Sequence, residues 1–190
     1  IRAVVDALFN DAEFSDAFKQ HPAARTMHHA YVGGLLEHTL SVAQACDRMA
    51  AHYPFVQRDL LVAGAIIHDI GKLKEMAAGL TTEYTGTVHQ IEHLVVGSEW
   101  FGRIAATLDV VPNLIVWPVY HKILCHNGKL EFGSPVLPQT LEALVLHMMD
   151  MLDGYLFQAR AAIMSDTDEH TEFTKKIFGL ERSMYKSAWA

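Results

Sequence analysis

The chain has 190 residues, a formal charge of −7, and 51% hydrophobic against 19% charged residues. That is a globular composition, sized for one domain that buries roughly 70% of its unfolded surface. It excludes several classes. The longest apolar run, residues 60–67, falls well short of the roughly 20 residues that span a bilayer. Two cysteines without CxxC spacing, Cys46 and Cys125, rule against a disulfide scaffold or thiolate zinc site and fit a reducing cytoplasm. The acidic balance argues against broad, unspecific nucleic-acid binding by this domain alone. Ile1 leads into an amphipathic pattern with no signal peptide, and a first residue other than Met reads as a fragment of a longer protein.

Helical periodicity predicts a first helix over 3–19 and a second over 29–52, with Tyr31, Leu35, His38, Val42, Cys46 and Met49 on one stripe. Gly33 and Gly34 fall inside that second helix on this reading, where they would permit close packing. Residues 58–70 give a very apolar, central third helix that stops at Gly71. Residues 73–87 read as a loop with short strand pairing. A fourth helix covers about 88–108, and a fifth about 113–126, kinked or interrupted at Pro118 and ended by Asn127-Gly128. A loop over 129–138 leads to a sixth helix over about 139–164. The polar tail reads as one short, loosely held helix. The expectation is a single all-α domain.

The chain holds twelve histidines, as many as glycines. One histidine on an apolar stripe is ordinarily a core residue bonded to a carbonyl. Here His38, His68, His93 and His126 fall on four different helices, joined by Asp69 and Asp150. Burying each alone is costly, and a shared cation would satisfy them all. Imidazoles and carboxylates without thiolates suit Mn, Fe, Co, Ni or Zn. Six such ligands exceed one tetrahedral zinc and suffice for two divalent metals bridged by a carboxylate. His21, His52 and His170 read as surface residues, His28 and His29 as a cap or pocket wall. His89, one turn before His93, invites a zinc-pair reading.

The order His38, then His68-Asp69-Ile70-Gly71-Lys72, then Asp150 resembles the HD superfamily of metal-dependent phosphohydrolases. His93 and His126 match its binuclear branches. HHAYVGGLLEHTLSVA (28–43), LLVAGAIIHDIGKLKE (60–75), ILCHNGKLEFGSPVLP (123–138) and LEALVLHMMDMLD (141–153) are similar to YhaM-type bacterial 3′–5′ exoribonucleases. The similarity spans about residues 20–157. It departs at Asn127, where that family carries a second histidine, and at Glu92, where it carries glycine. The family pattern gives His89 no ligand role. The resemblance also implies an amino-terminal nucleic-acid-binding OB domain that this chain lacks. A core over about 20–164 and a polar tail over 165–190 make up the rest.

On this resemblance His38, His68 and Asp150 hold a first metal, His93 and His126 a second, and Asp69 bridges them. Lys72 neutralises charge developing on a phosphoryl group. Asn127, Gly133 and Ser134 contact substrate, and His121 and His147 support the ligands from behind. The expected chemistry is metal-assisted hydrolysis of phosphodiesters by an activated water. The implied substrate is single-stranded RNA or an oligonucleotide, and the chain is open to homo-oligomer formation. A nucleotide or cyclic-dinucleotide phosphohydrolase, a mixed-valent di-iron oxygenase and a catalytically degenerate metal-binding module are alternatives. Gly133-Ser134-Pro135 weighs against the cyclic-dinucleotide branch, which carries Gly-Tyr-Pro.

Overall fold

The computed structural model describes residues 1–26, 28–77, 83–84, 91–108 and 112–186. The fold is all-α. In chain order it comprises α1 (Arg2–Asn10), α2 (Ala12–Gln20), α3 (Gly34–His52), α4 (Arg58–Ile67), the single turn α5 (Lys72–Glu75), α6 (Glu92–Thr107), α7 (Asn113–Cys125) and α8 (Leu141–Ser165). Two-residue strands β1 (Met76–Ala77) and β2 (Glu83–Tyr84) pair antiparallel, as the loop reading of 73–87 allowed. No helix among the described residues is long and apolar enough to cross a membrane.

Helix α4 is the hub. Its Ile67 joins Val4, Leu8, Phe14, Phe18, Phe101 and Ile123 in one apolar cluster. Its Leu61 and Ala65 join Val42, Cys46 and Leu146 in a second. The run that reads as the most apolar in the sequence therefore takes part in both clusters, the first of which also includes Leu35 of α3. The residues that follow α4 emerge among the helices that form these clusters.

Several boundaries differ from the periodicity. The predicted first helix is two, because Asp11 is extended and its carboxylate accepts from Phe14 N at 2.9 Å. An aspartate that caps a new helix start competes with continuing the old one. The second helix begins at Gly34, so Tyr31 and Gly33 lie outside it. Gly33 adopts φ +84, and a Cβ on Gly34 would fall 1.9 Å from His29 O. These glycines serve a tight helix entry against residues 28–29, not packing in mid-helix. Pro118 sits within an uninterrupted α7. The fourth helix starts at Glu92, and His89 lies outside the described residues.

The tail also differs. Instead of a loose helix, Phe173 bridges to Tyr185 and Ile177 to Arg182 around a 3₁₀ turn at Phe178–Leu180. Lys186 Nζ donates to Asp166 and to Asp168 O, and Leu180 is buried. Polar composition masked a docked hairpin because its bonds are mostly backbone and lysine contacts. His21 is buried too, its Nδ1 2.8 Å from Pro22 O, and is not the surface residue expected.

Candidate metal centre

Four helices deliver one imidazole each to a single point. His38 comes from α3, His68 caps α4, His93 lies in the first turn of α6, and His126 caps α7. The turn after α4 can approach α6 because Gly71 has no side chain: a Cβ there would fall 2.0 Å from His93 O. That contact brings Asp69 alongside His93.

Asp69 is the centre. Its Oδ2 lies 3.5 Å from His38 Nε2 and 3.3 Å from His68 Nε2. Its Oδ1 lies 3.6 Å from His93 Nε2 and 3.3 Å from His126 Nε2. One carboxylate thus faces two histidine pairs, one on each oxygen. Asp150 joins the first pair, with Oδ1 3.1 Å from His38 Nε2 and 3.8 Å from His68 Nε2. The geometry brings together all six ligand candidates read from the sequence.

Each histidine is also held from behind. Nδ1 of His68 donates to Ala65 O at 2.7 Å, and Nδ1 of His126 to Ile123 O at 2.8 Å. Nδ1 of His38 donates to Asp153 Oδ2 at 2.8 Å, and Nδ1 of His93 lies 3.1 Å from Glu75 Oε2. A proton held on Nδ1 leaves the Nε2 lone pair free to ligate. Asp153 and Glu75 brace candidate ligands, and sequence reasoning missed them. For Asp153 a signal existed: it follows Asp150 by three residues, on the same face of α8.

The donor set tests whether cations fit. His38 Nε2, His68 Nε2, His93 Nε2 and Asp69 Oδ1 are buried without a hydrogen-bond partner. Orphaned buried polar atoms are rare and costly. Three imidazole nitrogens converging on a carboxylate that is itself orphaned at Oδ1 are the pattern a metal pair would complete. Burial opposes a charge on His38, yet the carboxylates of Asp150 and Asp153 beside its ring push its pKa up to about 9, so Nε2 gives up a proton to ligate. Burial alone would raise the Asp69 carboxyl, but Lys72 and then His68 and His126 hold it well below the usual range. The thiols are not donors, since burial pushes Cys46 and Cys125 both up to about 12.

The remaining candidates divide. Lys72 Nζ donates to Asp69 Oδ2 at 2.6 Å, which places its ammonium at the centre. His147 Nδ1 donates to His126 O at 2.9 Å and supports that ligand's backbone. Asn127 Nδ2 donates to Phe132 O at 2.9 Å and lines a cleft of about 490 Å³ beside Asp150, His28 and His147. Gly133 and Ser134 do not line that cleft, although Ser134 Oγ is buried without a partner. His121 does not reach the ligands: its Nε2 accepts from Gln139 N at 2.9 Å and braces the end of the 129–138 loop. His29 bonds Asp153 through Nε2 at 3.1 Å. His28 stays neutral, its pKa lowered to about 4 by burial and then by Lys72 and His38.

The family model described as HD domain matches residues 35–155. The chain belongs to the HD domain family. It is 37% identical over 177 residues to the 3′–5′ exoribonuclease YhaM of Listeria innocua, covering 91% of this chain and 55% of the relative. It is 36% identical over 178 residues to the YhaM of Bacillus subtilis, covering 93% and 54%. The chain thus spans about half the length of these relatives. No solved structure matches it. Glu92, which departs from the resemblance read in the sequence, has φ +65, a conformation that glycine adopts freely and glutamate does not.

Proposed function

We propose that this HD domain hydrolyses phosphodiester bonds, acting on single-stranded RNA from its 3′ end. The observation that carries the reading is Asp69, with two histidine Nε2 atoms facing each of its oxygens. His38, His68, Asp69 and Asp150 would hold one divalent metal, and Asp69, His93 and His126 a second. Bound there, the metals polarise a phosphate oxygen and make a water acidic enough to lose a proton near neutral pH. The name of the relatives supports RNA as substrate and 3′–5′ as the direction.

The chain's own residues supply orientation and charge. Asp150 is 18% exposed where Asp69 is 2% exposed, so substrate approaches from the Asp150 side. Lys72 lies close enough to the centre to bind a phosphate oxygen and take up charge as the ester breaks. Asn127 on the cleft wall is placed to donate to substrate or water. His28, kept neutral by its surroundings, adds no repulsion toward the metals. The test is to load the chain with Mn²⁺ and assay short RNA, short DNA and mononucleotides. Accumulation of 5′-mononucleotides from RNA is expected. Phosphate release from nucleotides, with RNA left intact, would overturn the reading.

A further inference from the structure

The cleft beside Asp150 does not end at the metal ligands. It continues along α8 past Met151, Gly154 and Tyr155 to Gln158. These positions form one helical stripe, so the cleft runs about 12 Å along the helix axis from Asp150. Its volume of about 490 Å³ lies within the roughly 300–1,000 Å³ typical of small-molecule sites. Phe132 reaches it from the 129–138 loop, and Gly179 from the carboxy-terminal hairpin.

The lining is mixed in chemistry, with Asp150, His28 and Asn127 among its polar residues. Phe132 and Tyr155 remain 48% and 39% exposed, presenting aromatic surface to solvent within the cleft. Lys129 Nζ lies 4.8 Å from the centre of the Phe132 ring and 3.3 Å from Glu131 Oε1. Gln158 donates Nε2 to Gly154 O at 3.1 Å, which fixes its amide at the far end. Gly154 is informative. A Cβ there would make only ordinary contacts, the nearest 3.6 Å from the His28 ring. Packing therefore does not require glycine, which costs about 1 kcal/mol against alanine within a helix. The missing side chain leaves room on the cleft floor instead.

We infer that this cleft is a nucleoside subsite, in which a base lies on Phe132 and Tyr155 while the attached phosphate reaches the Asp150 end. A flat aromatic ligand with an anionic group is the class that such a mixed polar and aromatic cleft fits. Base–aromatic contact is tolerant of sequence because every base has a π-face. The inference rests on the phosphodiesterase reading and adds to it where the terminal nucleoside is held. The carboxy-terminal hairpin takes part as well, since its Gly179 closes one side of the subsite with bare backbone.

The experiment is calorimetric titration of the Mn²⁺-loaded full chain with adenosine 5′-monophosphate and with ribose 5-phosphate, which share the phosphate and differ by the base. The wild type is expected to bind the nucleotide at least fivefold more tightly. In the Phe132→Ala/Tyr155→Ala double variant that advantage falls below twofold, while ribose 5-phosphate binds as before. Both side chains are partly exposed, so the fold is retained, which circular dichroism and Mn²⁺ content confirm. Gly154→Leu, a better helix former that fills the floor, loses the same advantage. Equal wild-type affinity for the two compounds, or an advantage that survives in the double variant, overturns the subsite. If ribose 5-phosphate binds only with Mn²⁺ and the base adds nothing, the subsite fails and the metal-centre reading stands. If neither compound binds with or without Mn²⁺, both fail.

Discussion

Oδ2 of Asp153 lies 2.8 Å from Nδ1 of His38, and the opposite nitrogen of that ring faces Asp69 and Asp150. The carboxylate also accepts from His29 Nε2 and from Ser41 Oγ. Asp153 therefore fixes both the rotation and the tautomer of a candidate metal ligand. Removing such a partner ordinarily costs about 10–100-fold in metal affinity. Asp153→Ala should weaken Mn²⁺ binding by that amount in a competition titration, with unchanged helicity. Asp153→Asn, whose amide oxygen can still accept the Nδ1 proton, should fall between the two. Wild-type affinity in the alanine variant would show that His38 needs no such partner.

Lys72 meets Asp69 but lies outside the candidate ligands. Lys72→Ala should lower kcat on short RNA by roughly 10²-fold, the scale of losing one charge-stabilising donor, while metal content per chain stays constant. Loss of metal along with activity would assign Lys72 to holding the centre together, not to the reaction.

The candidate ligands were legible because chemistry-bearing residues stood out against apolar stripes. His38 and His93 sit where the helical period demands a hydrophobic side chain, and His68-Asp69 ends the most apolar helix. Their partners were not legible in the same way. Asp153 meets His38 across 115 positions of sequence and Glu75 meets His93 across a segment without clear periodicity. No local pattern encodes such pairs. The break at Asp11 was missed because an apolar period continues across it, whereas one capping bond decides the boundary. His121 misled for a related reason. It shares a helix with His126, yet the end of the 129–138 loop captures its ring.

Glu92 holds φ +65 at the start of α6, one residue before a candidate ligand. A non-glycine residue in the left-handed region costs about 1–2 kcal/mol. Glu92→Gly should therefore raise unfolding stability by about 1 kcal/mol, read as a higher midpoint in urea at unchanged slope. A lower midpoint would mean that the Glu92 side chain contributes more than its backbone costs.

Lys122 is fully buried in α7, with its Nζ donating to Pro118 O at 3.0 Å and its stem lying over Gly64. Burial pushes its pKa down to about 8, against the opposing pull of Glu142. The folded chain thus releases this proton before the unfolded chain does. Between about pH 8 and the ordinary lysine value, the unfolded state binds more protons, so this group's contribution makes stability rise with pH. The gain is on the order of 1–3 kcal/mol across that window. Lys122→Met should remove this rise, and the difference between variant and wild type in urea melts at about pH 7.5 and about pH 10 isolates it. An unchanged difference would place the proton elsewhere.

On the proposed reading Asp69 lies between two metal positions, with His38, His68 and Asp150 on one oxygen's side and His93 and His126 on the other's. The decisive measurement is metal content per chain after Mn²⁺ loading and desalting, for the wild type and for His93→Ala/His126→Ala. Two ions per chain are expected in the wild type and one in the double variant. A single ion in the wild type, or two retained in the variant, would contradict that reading.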